Sequence, residues 1–174
     1  MGKSTLIDEF LRKHPEFVHE PEPYTVLVED LGEEFSEEPC VEDFRRQLDF
    51  NIDRLRQHAP GENVIYERCP IDFLAYVDAL EPRSVEALLG LILEAMQNLD
   101  LIVYLPLDDD LMIESEYPKL QKAVDRRLSK MLLDDELGSA PVVEAKGSTT
   151  QRLRILEHAV NEYQTRSPGT LRRG

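Results

Sequence analysis

The chain has 174 residues, 41% of them hydrophobic and 32% charged, which is the composition of an ordinary globular domain. Its formal net charge of −15 at pH 7 argues against a nucleic-acid partner, because a phosphate backbone is bound by lysine and arginine. The sequence contains no apolar run of ~18 residues that could span a bilayer, and its two cysteines are too few for a disulfide framework. We therefore expect one cytoplasmic domain at residues 1–165, a polar tail at residues 166–174, and no membrane partner.

A phosphate-binding motif stands at the start of the chain. Gly2-Lys3-Ser4-Thr5 matches the second half of G-x-x-x-x-G-K-[ST], a loop in which backbone N–H groups and the lysine contact phosphates and the hydroxyl holds Mg²⁺. Such a triplet also arises by chance in roughly one chain in ten of this length. Its position favours function, because an amphipathic helix is predicted directly after it, at residues 4–14. We therefore expect Gly2, Lys3, Ser4 and Thr5 to bind ATP, and Ser4 to bind Mg²⁺.

The chain lacks the first glycine of that loop and the strand that normally precedes it. In phosphate-loop folds this strand is central to the sheet, so we expect Met1 to be an internal methionine of a longer protein. Loss of such a strand would uncover apolar helix faces, and a few buried aliphatic side chains at about 1.5–3 kcal/mol each rival the net stability of a domain. We therefore expect the 174-residue chain to be less stable than an extended one.

Two Glu-Pro pairs follow the first predicted strand, at residues 17–19. A residue before proline is held in extended backbone, which suits a carboxylate fixed at the end of a strand. Glu22 and Glu20 are the two candidates for such a carboxylate, and an acidic solvated loop is an equally good interpretation. Residues 25–30 fit either a strand or a short helix. The densest acidic stretch, at residues 29–42, is predicted to be a flexible loop.

The middle of the chain is predicted to form a long helix and a buried strand. Apolar residues recur at helical spacing over residues 41–58, and Gln47 lies off that stripe, where most glutamines are simply exposed. Residues 63–66 form a buried strand that leads directly into Glu67 and Arg68. Charged residues at this position are typical of the carboxyl edge of a parallel sheet, where ligands bind. A surface ion pair is the alternative.

The second half of the chain continues the alternation of helices and strands. We predict strands at 101–107 and 142–143, and helices from Pro70, at 85–99, at 117–133 and after Ser148, the last with capping-box spacing to Gln151. Arg126 and Arg127 lie in the one basic island of the sequence, as either phosphate ligands or a solvated helix face. The three aspartates at 108–110 are either near a metal or in a solvated turn. The alternation predicts an α/β fold, a doubly wound parallel sheet with flanking helices whose first, central strand is missing.

This order of motifs resembles the phosphate-loop kinases, in particular the deoxynucleoside-kinase-like group and the small bacterial AAA-type ATP-binding proteins related to it. The matching features are a Gly-Lys-Ser-Thr loop, a Glu-Pro after a strand, a glutamine in a long helix, a Glu-Arg after a strand, a basic helix and a closing strand-Gly-Ser-helix. They stand at Gly2–Thr5, Glu22-Pro23 or Glu20-Pro21, Gln47, Glu67-Arg68-Cys69, Arg126 with Arg127, and residues 142–152. The stretch at 67–76 is closer to the AAA-type group than to kinases of known substrate.

The resemblance implies catalytic roles for residues near the two predicted strand ends. Glu22, with Glu20 as second choice, would act as general base toward an acceptor hydroxyl. Glu67 would lie near Mg²⁺ and Arg68 near the acceptor. These roles suit phosphoryl transfer, which depends mostly on positioning and electrostatic stabilisation.

The resemblance also implies binding roles and leaves the reaction open. Gln47 would read the base of a nucleoside, and Arg126 or Arg127 would steady the transferring phosphoryl group. One hypothesis is an ATP- and Mg²⁺-dependent phosphotransferase acting on a small acceptor such as a nucleoside. Another is an ATP-binding switch or weak ATPase that acts through a protein partner. In a third, the shortened loop has too few N–H donors to bind nucleotide at all.

Overall fold

A computed structural model describes residues 3–59, 61–107, 116–134, 137 and 140–166. Its helices are α1 (Lys3–Lys13), α2 (Pro23–Thr25), α3 (Val41–Gln57), α4 (Pro70–Leu80), α5 (Val85–Met96), α6 (Pro118–Leu133) and α7 (Thr149–Arg166). Its strands are β1 (Val18–Glu20), β2 (Val64–Tyr66), β3 (Ile102–Tyr104) and β4 (Val142–Glu144). None of the helices in the described ranges is long and apolar enough to cross a membrane.

The four strands pair in parallel as two separate two-stranded sheets. β1 pairs with β2, with Val18 opposite Val64, and β3 pairs with β4, with Ile102 opposite Val142. The prediction of a mixed α/β fold with parallel strands is therefore confirmed. The described residues do not form one continuous, doubly wound sheet. The doubly wound architecture, and the central strand that the sequence was predicted to lack, therefore stay predictions.

Helices cover both faces of the strands. The larger core is formed by α3, α4, α5 and α6 and includes Ile102 and Tyr104 of β3. The smaller core is formed by Leu6 and Phe10 of α1 with α7, and Val103 of β3 packs against it. Successive side chains of a strand point to opposite faces, which explains why Val103 lies on one side and its two neighbours on the other. Ile65 and Tyr66 of β2 divide in the same way, so both strand pairs lie between the same two helical layers.

Several boundaries differ from those predicted. Residues 25–30, which fitted either a strand or a helix, are helical: α2 is followed by a π-helical turn at Val26–Asp30. The first strand is displaced by one residue, so Glu20 belongs to the strand rather than following it. The strand expected at 101–107 is confined to Ile102–Tyr104, because only that part pairs with a neighbour.

Sequence predictions for the two chain termini and for the aspartates at 108–110 remain predictions. Gly2, the aspartates at 108–110 and the tail from residue 167 lie outside the described residues.

The capping box at the last helix is confirmed: the backbone N–H of Ser148 donates to Gln151 Oε1 over 2.8 Å, and the backbone N–H of Gln151 donates to Ser148 Oγ over 3.4 Å.

Candidate active site

Lys3, the first residue of α1, lies between two carboxylates. Its Nζ is 3.0 Å from Glu22 Oε2 and 2.9 Å from Glu67 Oε2. Glu22 is the residue before α2, and Glu67 directly follows β2. The motif lysine, the Glu-Pro glutamate and the Glu-Arg glutamate therefore meet just beyond the carboxyl ends of β1 and β2, where the sequence predicted a ligand-binding edge.

Arg68 contacts the other oxygen of Glu22. Its Nε donates to Glu22 Oε1 over 2.9 Å, and its Nη1 donates to Asp72 Oδ1 over 3.1 Å in the first turn of α4. Burial alone would raise the pKa of Glu22, but the charges of Arg68 and Lys3 outweigh it and lower that pKa to about 2. Glu22 is therefore an anion throughout the neutral range.

The backbone of Arg68 is held in the left-handed region, with φ of +73°. A non-glycine residue pays of the order of 1–2 kcal/mol for that conformation. Several contacts hold it there: the two ion pairs of the side chain, and a hydrogen bond from Asn51 Nδ2 to the Arg68 carbonyl oxygen over 3.3 Å. The guanidinium contacts Glu22, and its Cζ lies 5.8 Å from the ring centre of Tyr76.

Glu67 is buried, and both of its oxygens are engaged. Oε2 contacts Lys3, and Oε1 lies 3.0 Å from Nε2 of His19 on β1. A metal ion on Glu67 would share one of these oxygens with Lys3 or His19, or replace one of the two contacts. Within the described residues no group of three or more His, Cys, Asp or Glu side chains could hold a metal. Single ligands such as Glu67 and Ser4 suit Mg²⁺, which is usually held by one or two carboxylates together with phosphates and water.

A cavity of about 230 Å³ adjoins the cluster, and Glu22 belongs to both. Gln47 on α3 lines it and is only 6% exposed, with its Nε2 donating to the Asp43 carbonyl oxygen over 3.3 Å. The rings of Phe44 and Tyr76, which also line it, are stacked with centres 4.2 Å apart. The glutamine predicted to read a substrate therefore lies in the same cavity as the predicted base.

Glu20, the second choice for that base, belongs to a different cluster. Its Oε2 accepts a hydrogen bond from Nη1 of Arg54 over 3.0 Å, and its Oε1 lies 2.7 Å from Nε2 of His58. Glu22, and not Glu20, contacts Lys3. The two Glu-Pro glutamates therefore have different cationic partners.

The remaining predicted residues are less closely gathered. Ser4 is exposed and Thr5 is half-buried in the first turn of α1. Arg127 donates from Nε to Asp78 Oδ2 over 2.7 Å, which ties it to α4, while Arg126 is exposed. Neither arginine lines the cavity described above.

Sequence reasoning missed a polar row on α3. Gln47, Asn51 and Arg54 are each at most 6% exposed, and their spacing of four and three residues places them on one helix face. That spacing is the signal that could have found Asn51, and the burial of Gln47 excludes the alternative in which this glutamine is simply exposed. His19 was likewise given no role, although a polar residue within an apolar strand is itself a signal.

Comparison with known proteins gave one match. A family model described as an AAA domain matches residues 1–152 of the chain. No match was found among curated proteins or among solved structures. The matched segment contains Lys3, both glutamates of the cluster and the cavity. Because the match spans most of the sequence, the chain belongs to the AAA domain family of P-loop NTPase-like, nucleotide-binding proteins.

Proposed function

We propose that this chain is an ATP- and Mg²⁺-dependent phosphotransferase that acts on a small acceptor. The observation that carries the proposal is the Lys3 ammonium between Glu22 and Glu67, next to a cavity that Glu22 also lines. Phosphoryl transfer needs charges positioned around the phosphates and a carboxylate beside the acceptor, with little covalent work by the protein. The cluster supplies both kinds of group in one contact network.

The residues of the cluster are compatible with ATP and Mg²⁺. Lys3 begins an 11-residue helix, whose N-terminus carries partial positive charge, and its ammonium already contacts two anionic groups. In this proposal phosphate oxygens take the place of one of those carboxylates, with Gly2 and Thr5 adding contacts. Ser4 and Glu67 would hold Mg²⁺, which neutralises charge on the transferring phosphoryl group.

Glu22 is proposed as the general base that binds the acceptor hydroxyl and takes its proton. Its pKa of about 2 keeps it ionised at neutral pH, so its carboxylate can accept a hydrogen bond from that hydroxyl. When Lys3 turns to phosphate, one of the two cations that lower this pKa withdraws, and Glu22 becomes a stronger base. The hydroxyl oxygen bonds to phosphorus while the bond from phosphorus to the ADP oxygen breaks with its electron pair, and the hydroxyl proton passes to Glu22.

Three further residues complete the proposal. Gln47 would contact the acceptor, because it lines the cavity beside Glu22. Arg126 or Arg127 would steady the charge on the phosphoryl group. Arg127 would first have to leave Asp78, so the exposed Arg126 is the more readily available of the two.

Acceptor-dependent formation of ADP tests the proposal. With Mg·ATP and a panel of small alcohols that includes nucleosides, the chain should form ADP only when an acceptor is present. Glu22→Gln should lower that rate by about 10²–10⁴-fold while Mg·ATP still binds, and Glu29→Gln, at an exposed nearby position, should leave it unchanged. ADP formation that does not depend on an acceptor would instead favour an ATPase or a switch acting through a protein partner.

A further inference from the structure

The side chain of His19 meets Glu67 because of the register between β1 and β2. His19 is the middle residue of β1 and lies opposite Ile65 of β2. The backbone N–H of Glu67 donates to the Glu20 carbonyl oxygen over 2.9 Å, which continues the parallel ladder past the end of β2. Since side chains two residues apart share a face of a strand, Ile65 and Glu67 point to the same face as His19. A shift of one residue in this register would turn His19 away from Glu67.

That shared face is the one from which Lys3 approaches. Ile65 packs against the smaller core, to which α1 contributes, and Lys3 is the first residue of α1. Glu67 therefore lies between a strand residue and a helix residue. Its Oε1 is 3.0 Å from His19 Nε2, and its Oε2 is 2.9 Å from Lys3 Nζ. Together the two contacts fix the direction in which each carboxylate oxygen points.

The contact with Glu67 defines the polar role of the His19 side chain. A carboxylate oxygen only accepts hydrogen bonds, so Nε2 of His19 is the donor. Among the residues that the structure describes, the His19 side chain makes no other hydrogen bond or ion pair. The Glu67 side chain is only 7% exposed, so protein groups rather than bulk water orient its carboxylate. His19 is one of the two groups that do so.

The two contacts of Glu67 respond differently to a bound nucleotide. In the proposed function the Lys3 ammonium turns to phosphate, and its long, flexible side chain allows that movement. His19 is held in a hydrogen-bonded strand, and its imidazole is attached through only two rotatable bonds. The hydrogen bond from His19 to Oε1 is therefore the contact that persists when nucleotide binds. Oε2, the oxygen on the Lys3 side, is then the one that faces the phosphates.

A metal ligand binds more tightly when a second residue holds it in place. Hydrogen bonds to metal ligands fix their orientation, and loss of such a bond typically costs about 10–100-fold in metal affinity or activity. Mg²⁺ demands near-ideal octahedral geometry and is usually held by only one or two carboxylates. The direction of a single carboxylate therefore matters more for Mg²⁺ than in a site with many protein ligands.

We propose that His19 is a positioning residue for magnesium binding: its Nε2–H holds Oε1 of Glu67, so that Oε2 is presented to Mg²⁺ beside the phosphates of ATP. This inference rests on the proposed phosphotransferase function and adds a residue to the same site. It concerns the binding of the metal and not the choice of acceptor.

Two amide variants of His19 separate the position of the donor from its presence. Glutamine carries its amide nitrogen about as far from the backbone as Nε2 of histidine, whereas asparagine carries it about as far as Nδ1. His19→Gln should therefore keep the bond to Glu67, and His19→Asn should lose it. His158→Asn, at a histidine whose side chain is 75% exposed on α7, is the matched control.

Titration calorimetry with ATP, in Mg²⁺ and in EDTA, measures the effect without relying on turnover. The quantity compared is the ratio of the Kd for ATP in EDTA to the Kd in Mg²⁺. We expect this ratio to fall by about tenfold in His19→Asn, through weaker binding of Mg·ATP alone, and to keep its wild-type value in His19→Gln and the control. A merely structural contact would affect stability without changing this ratio.

Glu67→Gln provides a second test, because His19 is proposed to act through Glu67. The ratio should fall in Glu67→Gln, and adding His19→Asn to that variant should lower it no further. If His19→Asn does not fold, His19→Leu, which also lacks a donor that reaches Glu67, takes its place with the same expected result.

The outcomes separate this inference from the proposed function. The inference is overturned by an unchanged ratio in His19→Asn, by a ratio in His19→Gln as low as in His19→Asn, or by a further loss in the double variant. Each of these results leaves the phosphotransferase proposal standing. Wild-type ATP binding that does not depend on Mg²⁺ also overturns the inference, and acceptor-dependent ADP formation then decides the phosphotransferase proposal separately. Absence of ATP binding under both conditions overturns both.

Discussion

The strongest electrostatic consequence of the structure concerns Glu22 at low pH. Its pKa falls from an ordinary value of 4.5 to about 2, because the pull of Arg68 and Lys3 exceeds the opposing effect of burial. A folded-state pKa below the unfolded value adds stability that is fully present above pH 4.5 and disappears as the pH falls toward 2. The ion pairs of Glu22 should therefore make folding more sensitive to acid.

The magnitude follows from the size of that shift. A change from 4.5 to about 2 is worth at most about 3 kcal/mol, and solvent screening of a side chain that is 31% exposed reduces it to about 1–2 kcal/mol. Glu22→Gln should lose this amount of unfolding free energy at neutral pH. As the pH falls from 4.5 toward 2, the difference in unfolding free energy between Glu22→Gln and the wild type should shrink, because Glu22 of the wild type then loses its charge by protonation.

Urea-induced unfolding across a series of pH values measures this difference. Glu29→Gln, which removes an exposed glutamate near the same segment, controls for the change in net charge. The reasoning fails if Glu22→Gln and wild type lose stability in parallel between neutral pH and pH 3. It also fails if the control behaves like Glu22→Gln.

Four other variants probe contacts other than the ion pairs of Glu22. The pKa of His58 is raised by hydrogen bonds to two glutamates, so its stabilising effect is fully present below its ordinary pKa of 6.5 and is lost as pH rises through the raised value. The unfolding free energy of His58→Gln, measured with urea, should not show this loss as the pH rises. If His58→Gln and the wild type have the same pH dependence of unfolding free energy, His58 does not contribute to stability in this way. Asn51→Leu should leave unfolding free energy within about 1 kcal/mol but lower kcat by about tenfold, because the Arg68 backbone loses its hydrogen bond; unchanged kcat would contradict this. Arg127→Ala should cost about 0.5–1.5 kcal/mol in thermal or urea unfolding and Arg126→Ala less than about 0.5, and equal losses would show that the ion pair to α4 is not stabilising.

Much of the site could be predicted because local signals and a topological rule agreed. Charged residues near the carboxyl ends of parallel strands lie at one edge of the sheet, and the sequence placed Glu22 or Glu20 after one strand and Glu67 with Arg68 after another. The structure also brings Lys3 to that edge. The parallel pairing of β1 with β2 is the physical reason for their convergence.

Features that depend on tertiary contacts were beyond the sequence. The left-handed backbone of Arg68 is disfavoured locally and persists through contacts with Asn51, Glu22 and Asp72. The burial of Gln47 was also missed, because the helical stripe was read from apolar residues alone. A polar side chain can occupy a core position when its hydrogen bonds are made inside the protein, and apolar periodicity does not register this.

The arrangement of the strands shows a similar limit. Hydrophobic runs located the four strands that the described part of the chain contains, but which strands pair is decided by contacts far apart in the chain. Residues 101–107 form one apolar run, whereas only Ile102–Tyr104 meets a partner strand. Burial alone therefore overestimated the strand length.

Nucleotide binding is the central claim, and Lys3 is its most direct test. Titration calorimetry with Mg·ATP should show binding to the wild-type chain and a loss of affinity of at least about tenfold in Lys3→Ala. Lys13→Ala is the matched control, because Lys13 lies on the same helix and pairs with Glu157 at 2.9 Å instead. The account predicts that this control keeps wild-type affinity. Equal affinity of Lys3→Ala and wild type would contradict it, and the contact of Lys3 with two carboxylates would then be structural only.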